Sequence, residues 1–375
     1  MNLLPRVPLR VGYGCREILR SAVHAVHKMQ QLHYSFRLTL LLLSVATATA
    51  YARHRARSDG GGGGGGGGAP RPPSGVYKSV QSTLWHNRGL RLLVAGDKSQ
   101  SGKSTVSLGL LQALLDLGYA PEELAYIKPA TQCVSSTLTA RFCEARGIAC
   151  EHIGPVVYYR GFTREQIDAP PDAAAARGAS LVAECAAAVE RISRGKRLTL
   201  IDGVGYPSVG SVVGCSSADV AVACRAPVLI VGKQGVGDAV DSFNLCARFF
   251  EAQRVPVLGV VFNKLPPKGF YGLEQCERYV RRYFEASRPR QRVYGVLPQS
   301  AGLAALAPEE ACGLNYERPD PPPPAGEMTA DDEAALATVA TLFRAHFDAA
   351  GLVADLADAD ARPAEWAQAL AEYDV

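Results

Sequence analysis

The chain has 375 residues, of which 47% are hydrophobic and 20% charged, with a formal net charge of +4. That length allows one or two domains, and the apolar content is enough for a core, which excludes a disordered or fibrous chain. The charge is uneven: residues 1–57 carry nine Lys and Arg against the single acid Glu17, so the remainder is net negative. A basic excess confined to one end points to targeting and away from nucleic-acid binding.

Residues 1–58 are Arg-rich and acid-poor and hold four of the seven His, the composition of an organellar transit peptide for a mitochondrion or plastid. Within them lies an apolar run, Leu38–Ala52. It is shorter than the roughly 20 residues that span a bilayer. Two alternatives stand beside the transit peptide: an extension ahead of the true start, which leaves a cytoplasmic protein, and a membrane anchor at 38–52. The nine glycines Gly60–Gly68, followed by Pro70, Pro72 and Pro73, make a linker over 59–75.

From Val76 to Arg318, apolar runs and helical patterns alternate. The expected strands are Leu90–Ala95, Leu124–Ile127, Val156–Tyr159, Leu198–Ile201, Val228–Val231, Val257–Phe262 and Val293–Leu297. Several are apolar at consecutive positions, as in parallel strands buried on both faces. Helices are expected at Val106–Leu117, Leu138–Arg146, Ala173–Arg194, Asp241–Gln253 and Leu273–Ala286. Repeated βα units predict an α/β fold, a parallel sheet between two helical layers, in a single domain over 76–318. A Pro-rich linker over 319–328 then leads to a helical tail over 329–375, which opens with Thr329-x-x-Asp332 and is expected to pack on the domain. The ten cysteines include no Cys-x-x-Cys, so thiols of a reducing compartment are expected, not a metal site.

The stretch between the first strand and first helix, Gly96-Asp-Lys-Ser-Gln-Ser101-Gly102-Lys103-Ser104-Thr105, carries the chemistry. Strand, glycine turn and helix N-terminus together make a phosphate site, because backbone N–H groups and the helix dipole converge on the anion. Lys103 is placed to reach the β- and γ-phosphates and the Ser104 hydroxyl to hold Mg²⁺. Five residues separate the two glycines where the usual P-loop has four, so this is a variant. Lys98, five positions before Lys103, is a second lysine that can reach phosphate, often across a dimer.

Further candidates follow later strands. Lys128-Pro129, after the second, suits a substrate carboxylate or developing anionic charge. Asp202, ending the fourth, suits Mg²⁺, and Gly203 and Gly205 allow a ligand close to the backbone. Asn263 can pair with a purine edge, and Pro266 stands where a guanine-reading Asp would be, which favours adenine. Lys233-Gln-Gly235-Val-Gly237-Asp238 is a weaker loop signal, as fit for a plain turn as for a nucleotide contact.

Gly96…Gly102-Lys103-Ser104, Lys128-Pro129, Asp202-Gly203-Val204-Gly205 and Asn263 together resemble the dethiobiotin synthetase family, over roughly Leu90 to Leu303. Gly161–Asp168, Gly203–Ser211 and Gly235–Asp241 are similar to the dethiobiotin synthetase-like domain found alone or ahead of some phosphotransacetylases, where it is regulatory. The resemblance implies a P-loop NTPase fold that binds Mg-ATP, a small amine or carboxylate substrate, a homodimer, and phosphoryl transfer to a carbamate made from CO₂ and a diamino acid. Departures fall at the substrate end: Gln132 and Cys133 replace a small or hydroxyl residue followed by Gly, Asp202 replaces Glu, and Tyr158–Asp168 lacks the Pro-rich stretch that holds the substrate carboxylate. The leading expectation is an ATP-dependent ligase, with dethiobiotin formation, and so biotin biosynthesis, one candidate reaction. The alternatives are a non-catalytic nucleotide sensor and a dimeric P-loop ATPase switch. No nucleic-acid partner is expected.

Overall fold

In the computed structural model, residues 89–132, 134–300 and 322–361 are described. The expected targeting segment with its run at 38–52, the glycine linker, Cys133 and residues 301–321 lie outside them. Among the described residues, no helix is long and apolar enough to cross a membrane.

A seven-stranded parallel sheet is built from β1 (Leu90–Gly96), β2 (Leu124–Ile127), β4 (Ala149–Glu151), β6 (Leu198–Asp202), β7 (Val228–Gly232), β8 (Val257–Leu265) and β9 (Arg292–Pro298), in the order β4-β2-β6-β1-β7-β8-β9. The central strands are buried along their whole length, which is why they read as unbroken apolar runs.

One expected strand is corrected. Of Val156–Tyr159, only β5 (Val156–Val157) is extended, and it pairs with β3 (Ala130–Thr131) in a separate two-stranded ribbon. The sheet edge is taken by Ala149-Cys150-Glu151, whose residues are all half-buried. Such a mixed, partly wet edge segment has no apolar run for periodicity to detect.

Helices cover both faces. On one lie α1 (Lys103–Asp116), α2 (Leu138–Arg146) and, from the C-terminal part of the chain, α8 (Ala330–His346) and α9 (Ala349–Asp360), around a core that includes Leu92, Val94, Leu111, Tyr126, Phe142 and Phe343. On the other lie α3 (Phe162–Asp168), α4 (Pro171–Ser193), α5 (Ser217–Cys224), α6 (Gly237–Ala252) and α7 (Leu273–Ser287), around Leu181, Ile201, Ile230, Phe243 and Phe284. The fold is a three-layer α/β/α sandwich.

The α8 helix holds α1 in place. A Cβ at Gly109 of α1 would lie 2.1 Å from the Phe343 ring, so the ring occupies the space the glycine leaves. The start of α8 is capped by the Thr329 side chain, which accepts from the Asp332 N–H, and Arg141 of α2 clamps Asp332 with two hydrogen bonds of 2.8 and 2.9 Å. The Arg141 guanidinium beside it, with the Thr329 donors, holds the Asp332 carboxyl down at about 2.

Two outcomes are expected. Phe343→Ala empties the space against Gly109 and lowers the unfolding free energy by about 3 to 5 kcal/mol in urea titrations. A carboxyl held below its unfolded value of about 3.9 stabilises the fold above that value and loses the contribution as pH falls towards about 2. The urea midpoint therefore declines over that window, and Asp332→Asn removes this component.

Candidate functional site

In the sheet order, β6 lies between β2 and β1, and the chain leaves β1 for β2 on one side but leaves β6 for β7 on the other. The crevice at the carboxyl ends of β1 and β6 is therefore the switch point at which ligands bind in such sheets. Two backbone bonds close its floor: the Gly203 N–H donates to the Val94 carbonyl at 2.9 Å and the Gly96 N–H to the Gly205 carbonyl at 3.2 Å. Gly96 has no room for a side chain, because a Cβ would sit 2.5 Å from the Ser101 hydroxyl and 3.0 Å from the Gly205 carbonyl.

Gly102 is the residue that caps α1, and it has φ of +91°, a left-handed conformation suited to glycine. Lys103, Ser104 and Thr105 follow as the first helical residues. The helix N-terminus carries no side-chain cap and no acid in its first turn. Its positive dipole end thus faces the crevice without a protein carboxylate or side-chain cap against it, which suits an external anion. The Ser101 hydroxyl, buried in the loop without a hydrogen-bond partner, fits the same ligand.

The loop and the first turn are braced by three side chains, two from β8 and one from α2. Asn263 donates from Nδ2 to the Ser101 carbonyl at 3.0 Å, while its Oδ1 accepts from the Lys264 N–H at 2.9 Å. The amide expected to read a purine edge thus spends a hydrogen and a lone pair on backbone, and a Cβ at Gly102 would lie 2.2 Å from Nδ2. Lys264 Nζ donates to the Gln100 carbonyl at 2.8 Å. From α2, the Thr139 hydroxyl donates to the Ser104 carbonyl at 3.1 Å.

Sequence reasoning passed over Asp97. This buried carboxylate accepts from the Lys233 N–H at 2.9 Å, tying the phosphate loop to the glycine loop after β7. Burial raises its pKa, against the opposing Lys233 and Ser242 hydrogen bonds. Its position inside the Gly96–Gly102 turn was the one available signal. Lys98, by contrast, is exposed.

Across the crevice, Asp202 is 2% exposed. Its Oδ2 accepts from the Tyr126 hydroxyl at 2.7 Å and lies 3.5 Å from Lys128 Nζ. Tyr126, also unforeseen, is one residue before the end of β2, and no motif marks it as anything but core. Burial, then the Asp202 charge, push its phenol well up, so it remains a proton donor. These contacts leave Asp202 Oδ1 buried with no partner. An orphaned carboxylate oxygen is a hard donor of the kind that Mg²⁺ or its water ligands take. The recess beside it, lined by Pro129, Tyr158, Gly203 and Cys215 among others, has a volume of about 10 Å³, room for about one water.

The profile of a family described as an AAA domain matches residues 90–307. Over 177 residues the chain is 30% identical to the ATP-dependent dethiobiotin synthetase BioD of Saccharopolyspora erythraea, an overlap of 47% of this chain and 74% of that protein. The chain belongs to the dethiobiotin synthetase-like P-loop family. Solved structures similar to this family member include an ATP complex of a Cyanothece McdA variant, at 14% identity over 68% of this chain and 97% of that one with a TM-score of 0.39. Another is the MinC:MinD cell division complex of Aquifex aeolicus, at 14% identity over 68% and 96% with a TM-score of 0.36.

The braces predict a graded response. Gly102→Ala places a methyl group against Asn263 at a left-handed φ and abolishes ATP binding measured by calorimetry. Asn263→Ala weakens binding by about tenfold, the cost of one buried hydrogen bond, without changing the circular dichroism spectrum.

Proposed function

We propose that this family member binds Mg-ATP on the β1–α1 loop and is an ATP-dependent ligase that activates a carboxylate or carbamate by phosphoryl transfer. The observation that carries the proposal is the convergence, at adjacent strand ends, of an uncapped helix N-terminus and a buried carboxylate with one oxygen unpartnered and a lysine on the other. The first suits a polyphosphate, the second a hydrated cation, and the third an anionic acceptor.

The residues divide the work. The N–H groups at Gly102 to Thr105, with Lys103, hold the phosphates and offset the charge that develops on them in transfer. Lys98, being exposed, adds a positive charge at the rim, to its own site or to that of a second copy in a homodimer. Ser104 and Asp202 would hold Mg²⁺, which when bound would draw the phosphate oxygens together and neutralise them. Tyr126 fixes the Asp202 carboxylate so that Oδ1 and not Oδ2 is presented. Lys128, 3.5 Å from that carboxylate, holds an acceptor carboxylate or carbamate beside the phosphate end. Gly203 and Gly205 let the backbone approach the nucleotide. Dethiobiotin formation is the first reaction to try, because the BioD relative carries that name.

A nucleotide sensor that regulates a partner enzyme is the alternative. The substitutions Gln132 and Cys133, at positions where the family resemblance expects a small or hydroxyl residue followed by Gly, favour it.

The full chain with Mg-ATP, bicarbonate and diaminopelargonate is expected to release ADP, inorganic phosphate and a cyclic urea. Lys103→Ala should lower kcat/KM by about 100-fold or more, and Lys128→Ala should lower kcat with ATP affinity held within a few-fold. ATP binding without turnover on any amine or carboxylate tried would exclude the ligase and leave the sensor.

A further inference from the structure

The loop between β8 and α7, residues 266–272, leaves the sheet at the same carboxyl rim as the phosphate loop. It carries two adjacent aromatic side chains in water: Phe270 is 86% exposed and Tyr271 58%. Their rings stand nearly perpendicular, at 89°, with centroids 5.0 Å apart. Single exposed apolar residues are ordinary on a protein surface and ask for no partner. Two in succession beside a ligand crevice are a different case. The backbone beneath them is ordered. The Leu273 N–H donates to the Pro266 carbonyl at 2.8 Å and closes the base of the loop, and the Gly272 N–H donates to the Gly269 carbonyl at 2.9 Å. The Cys276 thiol donates to the Tyr271 carbonyl at 3.2 Å. Little ordering of the loop is therefore left for a ligand to impose.

The placement fits the base of a nucleotide whose phosphates sit on α1. Neighbouring strands are about 4.8 Å apart, so the end of β8, two strands from β1, is about 10 Å along the rim from the phosphate loop. That is the order of distance that separates the phosphates of a nucleotide from its base. On the other side of β1 the rim is taken by Asp202 and Lys128, which leaves the β7–β8 side for the base. The end of β8 is tied to the phosphate loop directly, by Asn263 on the Ser101 carbonyl and Lys264 on the Gln100 carbonyl. With the Asn263 amide engaged on backbone at both its nitrogen and its oxygen, the face of a base is a larger target for recognition than its edge.

We propose that Phe270, flanked by Tyr271, is the platform on which the base of the bound nucleotide stacks. The proposal rests on the nucleotide reading of the β1–α1 loop and adds to it the residue that grips the base. Stacking on an aromatic side chain tolerates any base, because every base has a π-face. The platform therefore supplies affinity for a nucleoside triphosphate over a bare polyphosphate, and not a choice between adenine and guanine.

The test compares ATP with inorganic tripolyphosphate, which has the phosphates and no base, in calorimetric titrations of the full chain with Mg²⁺. Phe270→Ala is expected to weaken ATP binding by about 5- to 150-fold and to leave tripolyphosphate binding unchanged. GTP should lose affinity by the same factor as ATP. Phe270→Trp should restore ATP affinity, and the emission of the added indole should be quenched by ATP and not by tripolyphosphate. If the unsubstituted chain binds ATP and Phe270→Ala binds it equally well, the platform is overturned and the nucleotide reading stands. An equal loss for ATP and tripolyphosphate overturns it too. So does a dimer that Phe270→Ala converts to a monomer in sedimentation with ATP affinity retained, which would make the aromatic pair a contact between copies. If the unsubstituted chain binds neither ATP nor tripolyphosphate, the nucleotide reading falls and the platform falls with it.

Discussion

Everything at the crevice depends on leaving the N-terminus of α1 without a protein side chain as its cap. A helix buried at its start normally satisfies its first N–H groups with a side chain, because orphaned donors are costly. Here Gly102 supplies none, and no acid stands in the first turn. The neighbouring structure holds this arrangement open. Asn263, Lys264 and Thr139 each bind a backbone carbonyl of the loop or first turn, so these carbonyls are satisfied from outside while no side chain caps the helix start. That asymmetry is what makes a phosphate site out of a turn.

The parallel sheet then gathers the remaining groups. Strands that run the same way end at the same rim, so residues far apart in the chain, such as Tyr126, Lys128 and Asp202, come within contact distance there. Tyr126 orients the carboxylate because it is buried beside it and cannot readily lose its proton. The layer behind them is secured by α8, whose Phe343 fills the gap at Gly109 and whose Asp332 is clamped by Arg141.

The primary sequence by itself determined the layered α/β class and the position of the phosphate loop. Consecutive apolar residues such as Leu90–Ala95 can only be satisfied by burial on both faces, and glycine at Gly96 and Gly102 before Lys103 has few other physical uses. Lys128, Asp202 and Asn263 were legible for the same reason: polar residues that end an apolar run must lie at the rim of the sheet. Tertiary structure alone decided what each of them touches. Asn263 braces the loop because β8 ends against Ser101, Asp97 and Tyr126 act because distant loops and strands meet them, and the edge strand is Ala149–Glu151 because α2 turns back at Gly147. Periodicity records which face of an element is buried, but not which partner lies across it, and at this site the partner sets the chemistry.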